Sequence, residues 1–535
     1  MSLSLENLSF RTLGATTGHR TAIRLPLFVG LFVWCGLFIY KSSYLSPDNV
    51  RYYSLFDEAM ITMRYAWHWV HGHGIVWNPG ERVEGYAHPF MLLPMALSTL
   101  LFSLMRAPWA VQWINVIALA VAAVVALRLM NFVASERNFP QKQVSWAQDI
   151  FLLLFFSYFP MLFWTAAGME TTWLTLFLLL CVQNLLLPLH PAYPWRRDLG
   201  LAILFFLMWL CRPDAIIYIV PLGLSLFWIS YNQWPRRRPL LVWGVFLALV
   251  LLQFAFRRMY YEEWLPNGYY LKATGLGWGD RLGNGFKYVL PFLFTMLVPG
   301  LLSVLSVVNG GFPVISLMSL LFVGIAVFYQ IIMGGDAWPI WRTMVPAVSL
   351  MLIPIGFLLS RLAFEWIPTS EKRRPYFLLI IAAMVSLWMN QKFLNELILK
   401  DIPGKNMNSR FIQNAIALND LLKPGASVGV FSAGTLPYYL PHLRAIDFLG
   451  KTDKHVARLA PTLMDYHGSV GVPGQNKYDL RYSILQLKPT YTEHIKWFNQ
   501  DVGKEASSLY WPMSYRGMSM LLIKDSPFVY WERFH

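Results

Sequence analysis

The chain has 535 residues, of which 56% are apolar, 16% aromatic and 14% charged, against roughly 25% charged in an average soluble domain; an ordinary water-soluble globule is excluded. Its 44 Lys and Arg exceed its 29 Asp and Glu by 15, and in a chain this apolar the excess reports membrane topology, not a nucleic-acid partner. Cys35, Cys181 and Cys211 lie in or beside apolar runs, which excludes a disulfide framework of the secreted kind.

In chain order, apolar runs predict spans near 25–40, 109–131, 149–166, 171–189, 199–211, 214–231, 240–256, 287–308, 312–333, 343–360 and 376–391. A bilayer asks for about 20 residues per helix. A further run, 89–106, is short and contains Pro94. If it crossed, the basic clusters Arg196/Arg197, Arg236/Arg237/Arg238 and Lys372/Arg373/Arg374 would all face away from the cytoplasm, against the positive-inside rule. It is therefore placed along the membrane surface. The expectation is a polytopic α-helical membrane protein with eleven spans and its amino terminus inside, so that Arg11, Arg20, Arg24, Arg137 and Lys142 are also cytoplasmic. Loops 41–108, 167–170, 212–214, 257–286 and 334–342 then fall on the outer face. From 393 the composition turns polar and mixed, with a helical stretch at 408–422 and strand-like runs at 427–432, 443–448 and 518–523. These predict a membrane domain over 1–392 followed by a small extracytoplasmic α/β domain over 393–535. Trp234 to Pro239 reads as a compact basic turn.

The first outer loop places Asp57 and Glu58 at the start of a helix-like run through Thr62, Arg64, Tyr65 and Trp69, stopping at Gly72 and Gly74. Ser54 three residues before Asp57 fits a capping arrangement. An acid at the apolar boundary equally suits a general base, since desolvation raises its proton affinity. Beyond the Asn78-Pro79-Gly80 turn, Glu81, Glu84, Tyr86 and His88 are offered to a polar ligand. His68, His71 and His73 lack the accompanying ligand spacing of a metal site. The remaining outer loops carry Glu170, Arg212 with Asp214, Lys272, and Asp336 with Arg342. Charges at membrane depth are costly and face a bundle interior or a wet cavity, so each is a site candidate; Arg212 with Asp214, and Asp336 with Arg342, could equally pair to anchor their loops. The glycine-rich stretch 275–285 has neither a preceding strand nor a closing Lys-Ser or Lys-Thr for a nucleotide loop. Around Ser432 the first glycine stands one place too far away for a nucleophile elbow.

Together, Asp57-Glu58 with Arg64-Tyr65, the run Gly74 to Tyr86, Gly168-Met-Glu-Thr and Arg212-Pro-Asp214 resemble the GT-C superfamily of integral-membrane glycosyltransferases. Leu265-Pro-Asn267 with Tyr270 and Lys272, Gly334-Gly-Asp336, Ala433 to Tyr438 and Ile446 to Asp453 are similar to the branch containing terminal β-arabinofuranosyltransferases of the actinobacterial cell wall and a pilin arabinosyltransferase. The resemblance runs from about residue 50 to about residue 490. It implies a polyprenyl-phosphate sugar donor, transfer on the outer face of the bacterial inner membrane, and catalysis by Asp57 with Glu58 beside it. It also implies that Arg212, Lys272 and Arg342 hold the lipid phosphate, while Arg64, Tyr65, Glu84, Tyr86, His88, Glu170, Asn267, Tyr270 and Asp336 serve the sugar or acceptor. Two departures bear on acceptor choice: many members have two aspartates where this chain has Asp57-Glu58, and Ala87-His88-Pro89 replaces the usual small residues before the surface helix.

The chemistry fits the resemblance. Fixed cations stabilise the departing phosphate, and an acid takes the proton of the attacking hydroxyl. With no second phosphate to neutralise, no cofactor is required, and a divalent cation remains compatible. The expected function is transfer of a pentofuranosyl group, D-arabinofuranose, to an extracytoplasmic glycan or protein. The alternatives are a polyprenyl-phosphate hexose or aminosugar transferase and a transporter or flippase, the last of which should show repeat symmetry between its halves.

Overall fold

The computed structural model describes residues 21–186, 194–233, 238–309, 311–366, 373–463, 465–466, 469–471 and 474–534. Arg11, Arg20, Arg236, Arg237, Lys372 and most of the predicted basic turn at Trp234 lie outside them.

The chain is a multi-pass membrane protein. Among the described residues, seven helices are long and apolar enough to cross a bilayer, or nine if each of two bent pairs is one span. The seven are Ile23–Ser42, Ala107–Glu136, Pro213–Ser230, Arg238–Tyr261, Pro313–Met333, Val345–Glu365 and Arg374–Leu397. The bent pairs are Gln141–Ser157 with Phe159–Ala166 and Trp278–Thr295 with Leu297–Asn309, angled by 58° and 68°. Two of the eleven expected spans are not among them: 171–189 is described only over Thr171–Leu186 and continues beyond the described residues, and Pro194–Cys211 opens with Arg196, Arg197 and Asp198.

The first break shows how non-helical backbone is tolerated inside the bundle. Tyr158 leaves the helix at φ −72° and ψ 101°, two residues before Pro160. Buried Asn390 repairs the interruption: its Oδ1 accepts from Phe159 N–H at 2.8 Å, and its Nδ2 donates to Ser157 and Ser386 carbonyls at 2.9 Å each. A backbone group without such a partner would cost several kcal/mol in lipid. The bundle's core helix is α1 (Val345–Arg361), whose residues 345–360 are all buried. Gly356 lets it approach the Gln141–Ser157 helix so closely that a Cβ would stand 2.6 Å from the Ala147 carbonyl oxygen, the use of small residues expected between membrane helices. Exposed Leu251, Leu252, Leu301, Leu321 and Phe328 face outward as a lipid-facing surface needs.

Run 89–106 forms a short turn and the ten-residue helix Leu92–Leu101, about half the length a crossing needs, with Leu93, Leu97, Leu100 and Leu101 exposed along it. The carboxy-terminal region holds a five-stranded sheet in which Tyr491–Thr492 is central; Ser427–Val430 pairs parallel with it and with the edge strand Arg444–Asp447, and on its other side Met518–Ile523 and then Tyr510–Tyr515 extend the sheet antiparallel. The helix expected at 408–422 spans Lys405–Leu421. Tyr510–Tyr515 and Tyr491–Thr492 are strands that the sequence reading did not single out.

Candidate active site

The helix Asp57–Val70 carries the two adjacent acids, and its start differs from the capping expectation. The N-cap is Phe56, without a side-chain cap, and the buried Ser54 hydroxyl has no hydrogen-bond partner among the described residues. Asp57 instead reaches the carboxy-terminal region: its Oδ1 accepts from Gly434 N–H at 3.1 Å and its Oδ2 stands 3.0 Å from Lys451 Nζ. A Cβ on Gly434 would lie 2.5 Å from Asp57 Oδ1, so glycine is needed for this approach.

Successive side chains leave a helix about 100° apart, and Glu58 accordingly faces elsewhere. Its Oε1 meets Lys272 Nζ at 2.7 Å and its Oε2 meets Arg342 Nη1 at 2.5 Å. Burial alone would push this carboxyl up, but Arg342, Lys272 and Lys451 outweigh it and hold Glu58 well below the usual carboxylate range. Arg342 is bonded further to Asp336 at 2.7 Å. Arg212 makes a bidentate pair with Asp214 at 2.7 and 2.6 Å and reaches Glu170 at 3.0 Å. His88 Nε2 stands 3.2 Å from Glu170 Oε2; burial pushes its imidazole down to about 4, leaving it neutral near pH 7. Both expected couples are thus pairs, and both also face the same cavity.

That cavity has a volume of about 410 Å³ and is lined by Glu58, Tyr86, His88, Arg212, Asp214, Arg257, Lys272, Asp336, Arg342 and Lys451 together with apolar residues from Trp209 to Met333. It joins four of the expected outer loops, 41–108, 212–214, 257–286 and 334–342, with the segment around 451. The 334–342 segment is bent by Gly334 and Gly335, at φ +83° and +81°, and by Trp341 at φ +48°, a left-handed conformation uncommon outside glycine. Among the four cations nearest the acids, Lys272 is the most open, at 33% side-chain exposure against 4% for Arg342.

Several predicted residues support the walls instead of facing the cavity. Fully buried Arg64 donates to the carbonyls of Trp77, Leu440, Leu443 and Pro437 and to Asn78 Oδ1, which ties the first loop to the carboxy-terminal region. The Tyr65 hydroxyl donates to the Val83 carbonyl and accepts from Gly85 N–H. Glu84 is buried against Arg257, and Glu170 lies beneath Arg212. Asn267 Nδ2 gathers the carbonyls of Gly450, Lys451 and Asp453, so it sets the Lys451 loop. The Tyr270 ring is covered by the Arg458 guanidinium at 4.1 Å. His68 is held by the Val76 and Pro441 carbonyls, and no three His, Cys, Asp or Glu side chains form a metal cluster among the described residues.

Lys451 and Arg257 are cavity residues that the sequence reading did not single out. Lys451 is held by a loop organised on buried Asp447, which accepts from Leu449 N–H at 3.0 Å and Thr452 N–H at 2.7 Å. Asp57, Glu58 and Asp447 outweigh its burial and raise its pKa, so it stays charged. A lysine 394 positions from its partner leaves no local signal.

No curated protein matches the chain. A family described as "Domain of unknown function (DUF8728)" matches residues 402–517. Among solved structures, the chain is similar to ArnT from Cupriavidus metallidurans in the apo state, at 14% identity and a TM-score of 0.52 over 80% of this chain and 86% of that one. It is equally similar to ArnT from the same organism bound to undecaprenyl phosphate, at 14% identity and a TM-score of 0.53 over 79% and 86%. These neighbours are GT-C glycosyltransferases. What is shared at this identity is the fold, and the architecture of this chain is the GT-C type: a mostly helical membrane bundle carrying a small sheet domain at its carboxy terminus.

Proposed function

We propose that the protein is a glycosyltransferase that takes a pentofuranosyl group, D-arabinofuranose, from a polyprenyl-phosphate donor and passes it to an acceptor hydroxyl on the outer face of the bacterial inner membrane. The observation that carries this reading is the cavity at the end of the membrane helices where Lys272, Arg342, Arg212 and Lys451 surround Glu58. A lipid phosphate dissolved in the bilayer presents its anion at that depth, and charge-assisted hydrogen bonds from fixed cations are the strong kind. The bonds of Lys272 and Arg342 to Glu58 are where an incoming phosphate would compete with a resident carboxylate. The fold is similar to that of ArnT, which has been crystallised with undecaprenyl phosphate. Arabinofuranose rests on the ordered motifs between residues 50 and 490.

The test is mass spectrometry of products made by purified protein from defined polyprenyl-phosphate sugars. A pentose added from the arabinofuranosyl donor and none from hexosyl or aminosugar donors is expected; transfer of a hexose alone would replace the sugar assignment. Lys272→Ala and Arg342→Ala should weaken donor binding by about 10 to 100-fold each, from roughly 1.5–3 kcal/mol per hydrogen bond to a charged group. Unchanged donor affinity in folded variants would remove both from the phosphate site.

A further inference from the structure

Two neighbouring helices lead from the active-site cavity to the far end of the bundle. Arg257, which lines the cavity, belongs to Arg238–Tyr261, and at 1.5 Å per residue Arg238 stands roughly 28 Å from it along the axis. The helix Pro194–Cys211 ends one residue before Arg212, another cavity residue, and carries Arg197 and Asp198 near its start. At that far end Arg238 Nε donates to Asp198 Oδ1 at 2.9 Å, both side chains being only 5% exposed. Arg197 Nε donates to Asn184 Oδ1 at 3.2 Å, and Arg238 and Asp198 are the charges that act on it. Two guanidiniums therefore share one carboxylate.

Hydrogen bonding at this end is incomplete. Arg197 Nη1 and Arg238 Nη2 are buried atoms without a hydrogen-bond partner among the described residues, and so is Ser230 Oγ, near the end of the helix Ile216–Gln233. Gly223 of that helix lies against the Trp243 ring, so it runs beside Arg238–Tyr261 and brings Ser230 toward the level of Arg238. An unpaired N–H on a buried cation is costly and calls for an explanation. An anion is the partner that gains most there. Both arginines stand at the starts of long helices with no acid in their first turns, where the macrodipole adds positive potential, and guanidinium forks match the oxygens of a phosphate. The surface alongside is apolar: Ile203, Leu240, Leu241 and Leu247 are exposed, with Trp195 and Trp228 of the kind that sits at headgroup level. A free anion makes no use of that surface, whereas a phospholipid uses both.

We infer that Arg197 and Arg238 bind the phosphate of an anionic phospholipid in the leaflet opposite the candidate active site, with its acyl chains on the apolar surface alongside. Basic pockets between membrane helices are a recurrent place for such headgroups. The site is separate from the donor cavity, its lipid is not consumed, and it does not depend on the transferase reading.

The test titrates the full chain in detergent with dioleoyl phosphatidylglycerol, read by native mass spectrometry and by the shift in unfolding temperature. Saturable binding is expected, with dioleoyl phosphatidylcholine and inorganic phosphate each at least about 10-fold weaker. Arg197→Gln removes one cation and should weaken phosphatidylglycerol binding about 10-fold, the loss of one charge-assisted hydrogen bond. Arg238→Gln combined with Asp198→Asn removes both members of the buried pair, so no carboxylate is stranded, and should weaken it similarly; it carries the test if Arg197→Gln fails to fold. Arg137→Gln, which removes an equal charge just past the Ala107–Glu136 helix, should leave binding unchanged. Wild-type affinity in either folded site variant would mean that the guanidiniums are satisfied within the chain. An equal loss in Arg137→Gln would mean diffuse attraction, inorganic phosphate as effective as the lipid a soluble-anion site, and equal binding of phosphatidylcholine no need for an anion; each of these overturns the proposal.

Discussion

Asp57 and Glu58 are neighbours in sequence with different surroundings, and the difference can be measured. Asp57→Asn keeps the side chain's size and its acceptance of the Gly434 N–H but cannot take a proton. Turnover should drop roughly 10² to 10⁴-fold with donor binding intact. Glu58→Gln removes the counter-charge of Lys272 and Arg342, so donor affinity should change more than the chemical step. Ordinary single-turnover rates in Asp57→Asn would discard its role as base. The buried imidazoles give a pH signature. His68 and His88 are each pushed down to about 4 by burial, from an ordinary value of 6.5. Between those values they bind fewer protons folded than unfolded, so stability rises with pH across that window and is lost as pH falls through it. Asp447, raised by burial to about 6, opposes this below pH 6. The solubilised protein should therefore melt lower at pH 5 than at pH 7, and His88→Gln should flatten the slope; an unaltered slope would remove His88 as its source.

At the scale of elements, close helix contact at glycine is set against lipid-facing freedom. Gly356→Ala would drive a methyl to within 2.6 Å of the Ala147 carbonyl oxygen, a backbone atom that cannot rotate away. A loss of about 1–3 kcal/mol is expected from overpacking. Gly324 on the Pro313–Met333 helix has open space at its Cβ position, so Gly324→Ala should be neutral or slightly stabilising through helix propensity. Thermal unfolding in detergent reads both, and equal effects would mean the Gly356 contact is not a tight one. The apolar periodicities that mark spans were legible because each run carries its own signal. The breaks at Tyr158 and Met296 were not, since they depend on partners such as Asn390, more than two hundred positions away.

For the whole molecule, the residues lining the candidate site come from four of the five loops assigned to the outer face together with the segment around 451, and Asp57 to Lys451 and Glu58 to Arg342 contacts require these segments to share one end of the bundle. At the other end stand Arg24 paired with Asp149 and Arg238 paired with Asp198, with Arg137, Arg196 and Arg374 among the basic residues nearby in the chain. Cysteines introduced at exposed Ala87 and Ser507, in a background lacking Cys35, Cys181 and Cys211, should react with an impermeant thiol reagent from outside the cell. Ser135→Cys, near the far end of a 30-residue helix that is about 45 Å long, should react only after permeabilisation. Reversed labelling would invert the proposed topology. Gly335 is a poor site for such a probe, because a Cβ there would meet Tyr288 at 2.7 Å.

The sequence by itself determined that this is a membrane protein, where its apolar runs lie, and that a polar α/β region follows. Each of these depends on local composition and period, which neighbouring residues carry among themselves. It also marked Glu170, Arg212, Asp214, Lys272, Asp336 and Arg342 as costly charges at membrane depth, and the structure brings five of the six around one cavity, with Glu170 bonded to Arg212 behind it. Only the tertiary structure decided that Arg64, Tyr65 and Asn267 brace the walls, that Lys451 enters from the carboxy-terminal region, and that Asp57 and Glu58 face different partners. Those outcomes follow from the 100° step between helix neighbours and from contacts closed across hundreds of residues, and neither the partner nor the facing direction of a side chain is written in the stretch of sequence around it.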